Sequence, residues 1–212
     1  MTQTDLFSLN GLDIQRVELI EIDDGDILWI KRFLPKSDAD SLLQTLLADI
    51  PWRQDSIRIA GKPVPVPRLQ AWYGDPGMTY TYSGLSLDPL PWSPTLAALK
   101  QRIEDYSDCQ FNSLLANLYR NEQDSVGWHA DNEPELGRNP AIASLSLGDT
   151  RDFQMKHRQR QEQKLSLPLQ HGDLLIMKGA LQHHWLHQIP KSKAPCQPRI
   201  NLTFRRIFKE WT

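Results

Sequence analysis

Apolar residues change period several times along the chain, and each change marks an element. Ile27-Leu28-Trp29-Ile30 is a continuous apolar run that reads as a strand. From Ser37 the spacing switches to three and four, placing Ala39, Leu42, Leu43, Leu46, Leu47 and Ile50 on one helical face. Ser37 is positioned to cap that helix, with Asp40 three residues on, and Pro51 stops it. A second helix is expected at Ser93-Pro94, a capping hydroxyl followed by proline at the first helical position, with Leu96, Leu99, Ile103 and Tyr106 along one stripe. Between the helices, Gly61-Lys62-Pro63-Val64-Pro65-Val66-Pro67-Arg68 has too many prolines for a helix or a central strand. The stretch from there to Gly84 reads as edge strands and turns.

After Phe111, short β-like runs are separated by Gly, Pro and Asn, at roughly 111–119, 126–131, 141–147, 151–157, 165–169, 173–178, 183–188 and 198–208. Strands at this spacing predict a double-stranded β-helix, or jelly roll, so the fold class is α+β and mostly β, with the two helices supporting one sheet from outside. With 212 residues, 40% of them apolar and 24% charged, a single domain over 1–212 is expected. It divides into an N-terminal part to about 110 and a jelly-roll core over about 111–208.

Composition narrows the function classes. The balance of 24 basic and 26 acidic side chains excludes a wholly electrostatic nucleic-acid binder, although a local basic patch is compatible with it. No apolar run approaches the roughly 18–20 residues that cross a bilayer. The opening Met-Thr-Gln-Thr-Asp-Leu-Phe lacks a basic stretch followed by an apolar one, and Cys109 and Cys196 are too few for a disulfide framework. A cytoplasmic monomer without membrane association is the expectation.

Candidate chemistry centres on Gly127-Trp128-His129-Ala130-Asp131. Residues two apart in a strand face one side, so His129 and Asp131 can aim a nitrogen and a carboxylate oxygen at one point. A third donor is needed, and His171, His183, His184 and His187 all qualify by spacing. Two histidines and one carboxylate with open positions form the facial triad of non-haem Fe(II) oxygenases, whereas thiolate sites favour zinc. The last strand adds a second signal: Arg199, Asn201, Thr203 and Arg205 alternate with Ile200, Leu202 and Phe204, and Asn117 and Tyr119 repeat the pattern. Polar groups lining a barrel are costly unless something charged sits among them. A dicarboxylate held by arginine forks would supply that charge.

Four segments together resemble the AlkB family of Fe(II)/2-oxoglutarate dioxygenases, particularly its nucleic-acid-repair branch: Asn117-Leu118-Tyr119-Arg120, His129-Ala130-Asp131-Asn132-Glu133, His184-Trp185-Leu186-His187-Gln188-Ile189-Pro190 and Pro198-Arg199-Ile200-Asn201-Leu202-Thr203-Phe204-Arg205. The resemblance runs from about Pro67, through Tyr73-Gly74-Asp75 and Tyr80-Thr81-Tyr82-Ser83-Gly84, to about Ile207. It implies that His129, Asp131 and His187 hold Fe(II). It also implies that Arg199 binds the keto-acid end of 2-oxoglutarate near the metal, directly or through Asp131, that Arg205 holds the distal carboxylate with Tyr119 and Thr203, and that Asn117 and Asn201 complete the pocket.

The implied reaction consumes O2 and 2-oxoglutarate, yields succinate and CO2, and removes an N-alkyl group such as that of 1-methyladenine or 3-methylcytosine, releasing formaldehyde. The implied partner is alkylated DNA, single- or double-stranded, with RNA, a protein side chain or a small molecule as alternatives and a non-catalytic module as the weakest. A base inside a duplex must be flipped out to reach a buried metal. Trp72, Tyr80, Thr81, Tyr82, Trp128 and Trp185 are the residues expected to surround it, with Tyr80-Thr81-Tyr82 in a nucleotide-recognition lid. Relatives have an acid directly after the second metal ligand, where this chain has Asn132 followed by Glu133, and a bulky wedge is expected where it has Ala60. The segment 151–164, with five basic and two acidic residues, and Lys191, Lys193, Arg206 and Lys209 are candidates for contact with the backbone.

Overall fold

The computed structural model describes residues 15–208 apart from 60, 79, 83, 84 and 88, and only the backbone of 57, 59, 80–82 and 85–87. In chain order the first elements are β1 (Arg16–Ile22), β2 (Gly25–Lys31), α1 (Lys36–Asp49), β3 (Ser56–Ile59), β4 (Lys62–Pro65), β5 (Leu69–Gly74), β6 (Tyr80–Tyr82), β7 (Leu85–Leu87) and α2 (Pro94–Ser107). There follow β8 (Ser113–Tyr119), β9 (Val126–His129), β10 (Ile142–Gly148), β11 (Arg151–His157), β12 (Lys164–Leu169), β13 (Leu174–Lys178), α3 (Leu181–His184), β14 (Trp185–Ile189) and β15 (Arg199–Arg205).

A seven-stranded sheet, in the order β1-β2-β13-β10-β15-β8-β5, and a four-stranded sheet, β12-β11-β14-β9, make the jelly roll. Alternation within each strand of the larger sheet sends one set of apolar side chains outward and the other inward. The outward set, including Leu114, Ala116, Leu145, Ile200, Leu202 and Phe204, packs beneath Ala39 and Leu46 of α1 and Leu96, Leu99 and Ile103 of α2. The inward set, with Trp29, Ile142 and Leu175, meets Phe153, Met155, Trp185 and Ile189 of the smaller sheet. The polar residues of β15 lie on this inner side because their neighbours in sequence are committed to the helices.

Several expectations shift in detail. Ser93 caps α2 through its hydroxyl, which accepts from the Leu96 N–H at 3.3 Å. Ser37 does not cap α1: Pro35 stands at that position, its carbonyl already accepting from the Ala39 N–H at 3.0 Å, which puts Ser37 inside the first turn. The segment from 183 begins as the single helical turn α3, because Gly179, at a φ of 69°, turns the chain from one sheet to the other before β14 can start. The jelly-roll sheet also takes β1, β2 and β5 from before residue 111. The proline-rich segment forms the β3–β4 hairpin, and β6 pairs with β7 in a second hairpin.

Candidate active site

The smaller sheet sets His129 directly opposite His187, in register between β9 and β14. β9 ends at His129, and Asp131 lies two residues beyond. One ligand atom from each of these three residues falls within 4.8 Å of the others. The His129 Nδ1–H donates to the Gly127 carbonyl at 2.8 Å, which leaves the Nε2 lone pair free. His187 is buried beneath the Phe153 ring, with 5.2 Å between centroids, and its Nδ1 has no hydrogen-bond partner among the described residues. Burial, and after it the neighbouring His129 ring, pushes its pKa down to about 3, so the His187 ring is neutral. For Asp131, burial works to raise the pKa, but the Arg205 guanidinium, with His187 and His129, outweighs it and holds the carboxyl below the usual range. The neutral His187 ring, the free Nε2 of His129 and the Asp131 carboxylate converge on one point, a donor set that fits a divalent iron.

These residues open on a cavity of about 110 Å³, also lined by Asn117, Tyr119, Arg199, Asn201, Thr203 and Arg205. Pairing of β15 with β8 puts Arg199 beside Tyr119 and Asn201 beside Asn117. Arg199 is 1% exposed; one nitrogen, Nη2, donates to the Ser146 hydroxyl at 2.9 Å, while Nε and Nη1, near Tyr119, complete no well-aligned hydrogen bond among the described residues. Burial lowers its pKa to about 10, partly offset by Tyr119, whose ring centroid lies 5.3 Å away. A desolvated guanidinium with two donors in no well-aligned hydrogen bond is costly by itself and fits the carboxylate of a diacid.

The two arginines exchange the places expected of them. β15 runs antiparallel to β8, so its first residue, Arg199, sits beside Tyr119, and its last, Arg205, sits at the end where Asp131 lies. Arg205 Nη2 is 2.9 Å from both Asp131 oxygens. Arg205 therefore stands at the Asp131 end of the cavity and Arg199 at the Tyr119 end. Thr203 donates to the Asn201 side-chain oxygen at 2.8 Å, and Asn201 donates to the Ser144 hydroxyl at 2.7 Å.

Among the residues expected to touch substrate, three tryptophans lie elsewhere. Trp185 is buried between the sheets and donates to the Asp23 carbonyl at 2.8 Å. Trp72 packs with Leu136 and Ile207 and donates to the Ser113 hydroxyl at 2.8 Å. Trp128 neighbours His129 on a strand and so points to the outer face, where the Lys156 ammonium lies 4.3 Å from its ring centroid. Asn132 is exposed, while Glu133 lines the cavity. The side chains of Tyr80, Thr81 and Tyr82 lie outside the described residues, as do Ala60 and Lys209.

The other histidines have different work. His171 accepts from the Gly148 N–H at 2.8 Å, and His183 Nε2 bonds the Arg138 carbonyl. His157, His184 and Asp24 also gather. However, His157 Nδ1 accepts from the backbone N–H groups of Gln159 and Arg160, which leaves the proton on Nε2 to reach Asp24 at 3.1 Å. That tautomer has no lone pair for a metal, and the group is a hydrogen-bonded pin for the β1–β2 turn. Of the basic segment, Arg151 is buried, donating to the carbonyls of Asp124 and Pro190, while Arg158 and Lys164 are exposed.

Sequence reasoning missed Arg68, which is buried and donates to the Asn117 side-chain oxygen at 2.8 Å, and Gln182, which accepts from the Asp131 N–H at 2.9 Å. It also missed Ser144 and Ser146, although their alternation with Leu145 and Leu147 is the pattern used for β15.

Comparison with known proteins places this geometry. The profile described as "2OG-Fe(II) oxygenase superfamily" matches residues 26–205. Alpha-ketoglutarate-dependent dioxygenase alkB homolog 3 of Homo sapiens is 46% identical over 187 residues, covering 84% of this chain and 65% of the relative. DNA oxidative demethylase ALKBH2 of Homo sapiens is 39% identical over 182 residues, covering 81% of this chain and 70% of the relative. The chain thus spans a little under two thirds of the length of the first relative. The solved structure of OsALKBH1 superposes with a TM-score of 0.67 over 89% of this chain at 20% identity, a likeness of fold alone. The chain belongs to the AlkB homologues of the 2OG-Fe(II) oxygenase superfamily.

Proposed function

We propose that the chain is an Fe(II)- and 2-oxoglutarate-dependent dioxygenase that removes N-alkyl groups from nucleic-acid bases, with alkylated DNA as the principal substrate. The observation that carries this reading is the pairing, in one cavity, of a His129/Asp131/His187 cluster with a buried Arg199 that has two donors in no well-aligned hydrogen bond. The relative named DNA oxidative demethylase ALKBH2 supports the nucleic-acid part. Iron held there with 2-oxoglutarate and O2 supplies the oxidising power that hydroxylates an N-methyl carbon, giving succinate, CO2 and a hemiaminal that loses formaldehyde.

The chain's own residues bind and orient. Arg199 and Tyr119 anchor the distal carboxylate, with Asn117 and Asn201 beside them, while Arg205 keeps Asp131 ionised and aimed at the metal position. Leu115, Phe153 and Met177 line the cavity with apolar surface and limit water. Glu133, not Asn132, offers the carboxylate to an entering base. A negative group there favours cationic lesions such as 1-methyladenine and 3-methylcytosine over neutral ones. Since Asp131 and His187 are buried, the base must arrive unstacked. Exposed Arg158, Lys164, Lys191 and Lys193 are available for phosphates.

The test is to incubate iron-loaded protein, ascorbate and 2-oxoglutarate with DNA or RNA oligonucleotides carrying either lesion and to follow loss of the methyl group by mass spectrometry. Turnover on DNA that vanishes in His187→Ala is expected. No loss of methyl from any oligonucleotide, with succinate formed only on another class of substrate, would overturn the proposal.

A further inference from the structure

Asp131 is buried, yet its backbone lies outside the strand ladder that holds the two histidines. His129 and His187 are locked face to face by the β9–β14 ladder, but β9 stops at His129, so no strand pairing fixes the backbone of the second metal ligand. Arg205 holds its carboxylate. Something must also hold the peptide, because a carboxylate on a loose backbone would present its oxygens at varying positions. The main chain at Asp131 is held from α3: the Asp131 N–H donates to the side-chain oxygen of Gln182 at 2.9 Å, in a buried pair separated by 51 residues in sequence. Gln182 is 1% exposed, and its amide nitrogen lies 3.7 Å from the Met177 sulfur, on the cavity wall. The amide has one workable orientation, oxygen toward the N–H and nitrogen toward the weak sulfur acceptor. A second bond from the same helical turn, His183 Nε2 to the Arg138 carbonyl, ties the far end of the loop that follows Asp131.

We infer that Gln182 is a positioning residue for the metal centre: α3 leads straight into β14, and Gln182 couples the placement of Asp131 to that of His187. The inference rests on the reading of His129, Asp131 and His187 as metal ligands. Removing the acceptor would leave a buried N–H unpaired and let Asp131 swing away from the other donors. Partners that orient a metal ligand from behind typically affect metal affinity by about 10–100-fold.

The test measures Mn(II) affinity by electron paramagnetic resonance, without turnover, in the wild type, Gln182→Met, Gln182→Glu and Asp131→Ala. Gln182→Met keeps the volume and replaces the amide oxygen by a thioether sulfur, a much poorer acceptor; affinity is expected to fall roughly 10–100-fold, with an unchanged near-ultraviolet circular dichroism spectrum. Gln182→Glu, which keeps an oxygen there, is expected to bind like the wild type or more tightly. If Gln182→Met does not fold, Gln182→Asn, which withdraws the oxygen by one methylene, carries the same expected loss. Undiminished affinity in the folded acceptor-loss variant, beside abolished binding in Asp131→Ala, overturns the positioning role and leaves the metal reading standing. Unchanged binding in Asp131→Ala overturns the metal reading itself.

Discussion

Arg205 and Asp131, 74 residues apart, form a buried ion pair in which one guanidinium nitrogen, Nη2, stands 2.9 Å from both carboxylate oxygens. The pair keeps a carboxylate ionised in a place that would otherwise neutralise it, and it stands at the end of the cavity where His129 and His187 converge. Removing one partner of such a pair strands the other charge away from water. Arg205→Met is therefore expected to lose about 3–5 kcal/mol of stability in metal-free protein. A saturating divalent cation restores part of it by taking over the neutralisation of Asp131. Chemical denaturation with and without Mn(II) checks this; a variant as stable as the wild type in both conditions contradicts it.

Arg199 has the opposite profile, with no acidic partner among its hydrogen bonds and two donors in no well-aligned one. Arg199→Ala is expected to raise the KM for 2-oxoglutarate by about 10–100-fold, a loss of about 1.4–2.8 kcal/mol of binding, with kcat largely kept at saturation. Steady-state succinate formation against co-substrate concentration reads it. Equal loss of kcat and no change in KM would remove Arg199 from the co-substrate site.

The lowered pKa of His187, about 3, has a pH consequence in the metal-free protein. An unfolded histidine takes its proton near 6.5, so below that pH the unfolded chain binds one proton more than the folded one, and stability falls as pH falls until the folded ring protonates near 3. Asp131, whose pKa lies below its ordinary 3.8, adds a loss in the same direction at still lower pH. The contribution of His187 approaches about 1.4 kcal/mol per pH unit. His187→Gln should show a flatter dependence of melting temperature than the wild type between about pH 6 and pH 4. Parallel curves would show that the wild-type ring is already charged in the folded protein.

Glu133 lines the cavity, and under the proposed function its carboxylate sets the preference for charged lesions. Glu133→Gln is expected to lower kcat/KM for 3-methylcytosine about tenfold, the difference between an ionised and a neutral hydrogen bond, and to change that for neutral 3-methylthymine much less. Equal effects on both bases would assign Glu133 a structural role.

Much of the site was legible because its chemistry is written with a period. Alternation along β15 and β8 announced an inward polar face, and the spacing of His129 and Asp131 announced convergent ligands. The order of Arg199 and Arg205 was not legible, because both lie on one face of one strand and only the antiparallel pairing with β8 decides which end meets Asp131. The tryptophans divide in the same way. Trp128 adjoins a metal ligand on a strand, so its outward direction follows from alternation alone. The burial of Trp72 and Trp185 depends on contacts with Ile207 and Asp23 that no local pattern reveals. The helical turn α3 escaped detection because its four residues carry no period. The acceptor that holds Asp131 sits in that turn.

The most direct measurement is the weak visible absorption that Fe(II) gains when 2-oxoglutarate joins it, recorded without oxygen as the co-substrate is titrated. The wild type should develop it with one iron per chain, Arg199→Ala should need more 2-oxoglutarate, and His187→Ala and Asp131→Ala should not develop it. Full absorption in His187→Ala at the wild-type 2-oxoglutarate concentration would mean that iron and co-substrate meet somewhere other than between His129, Asp131 and His187.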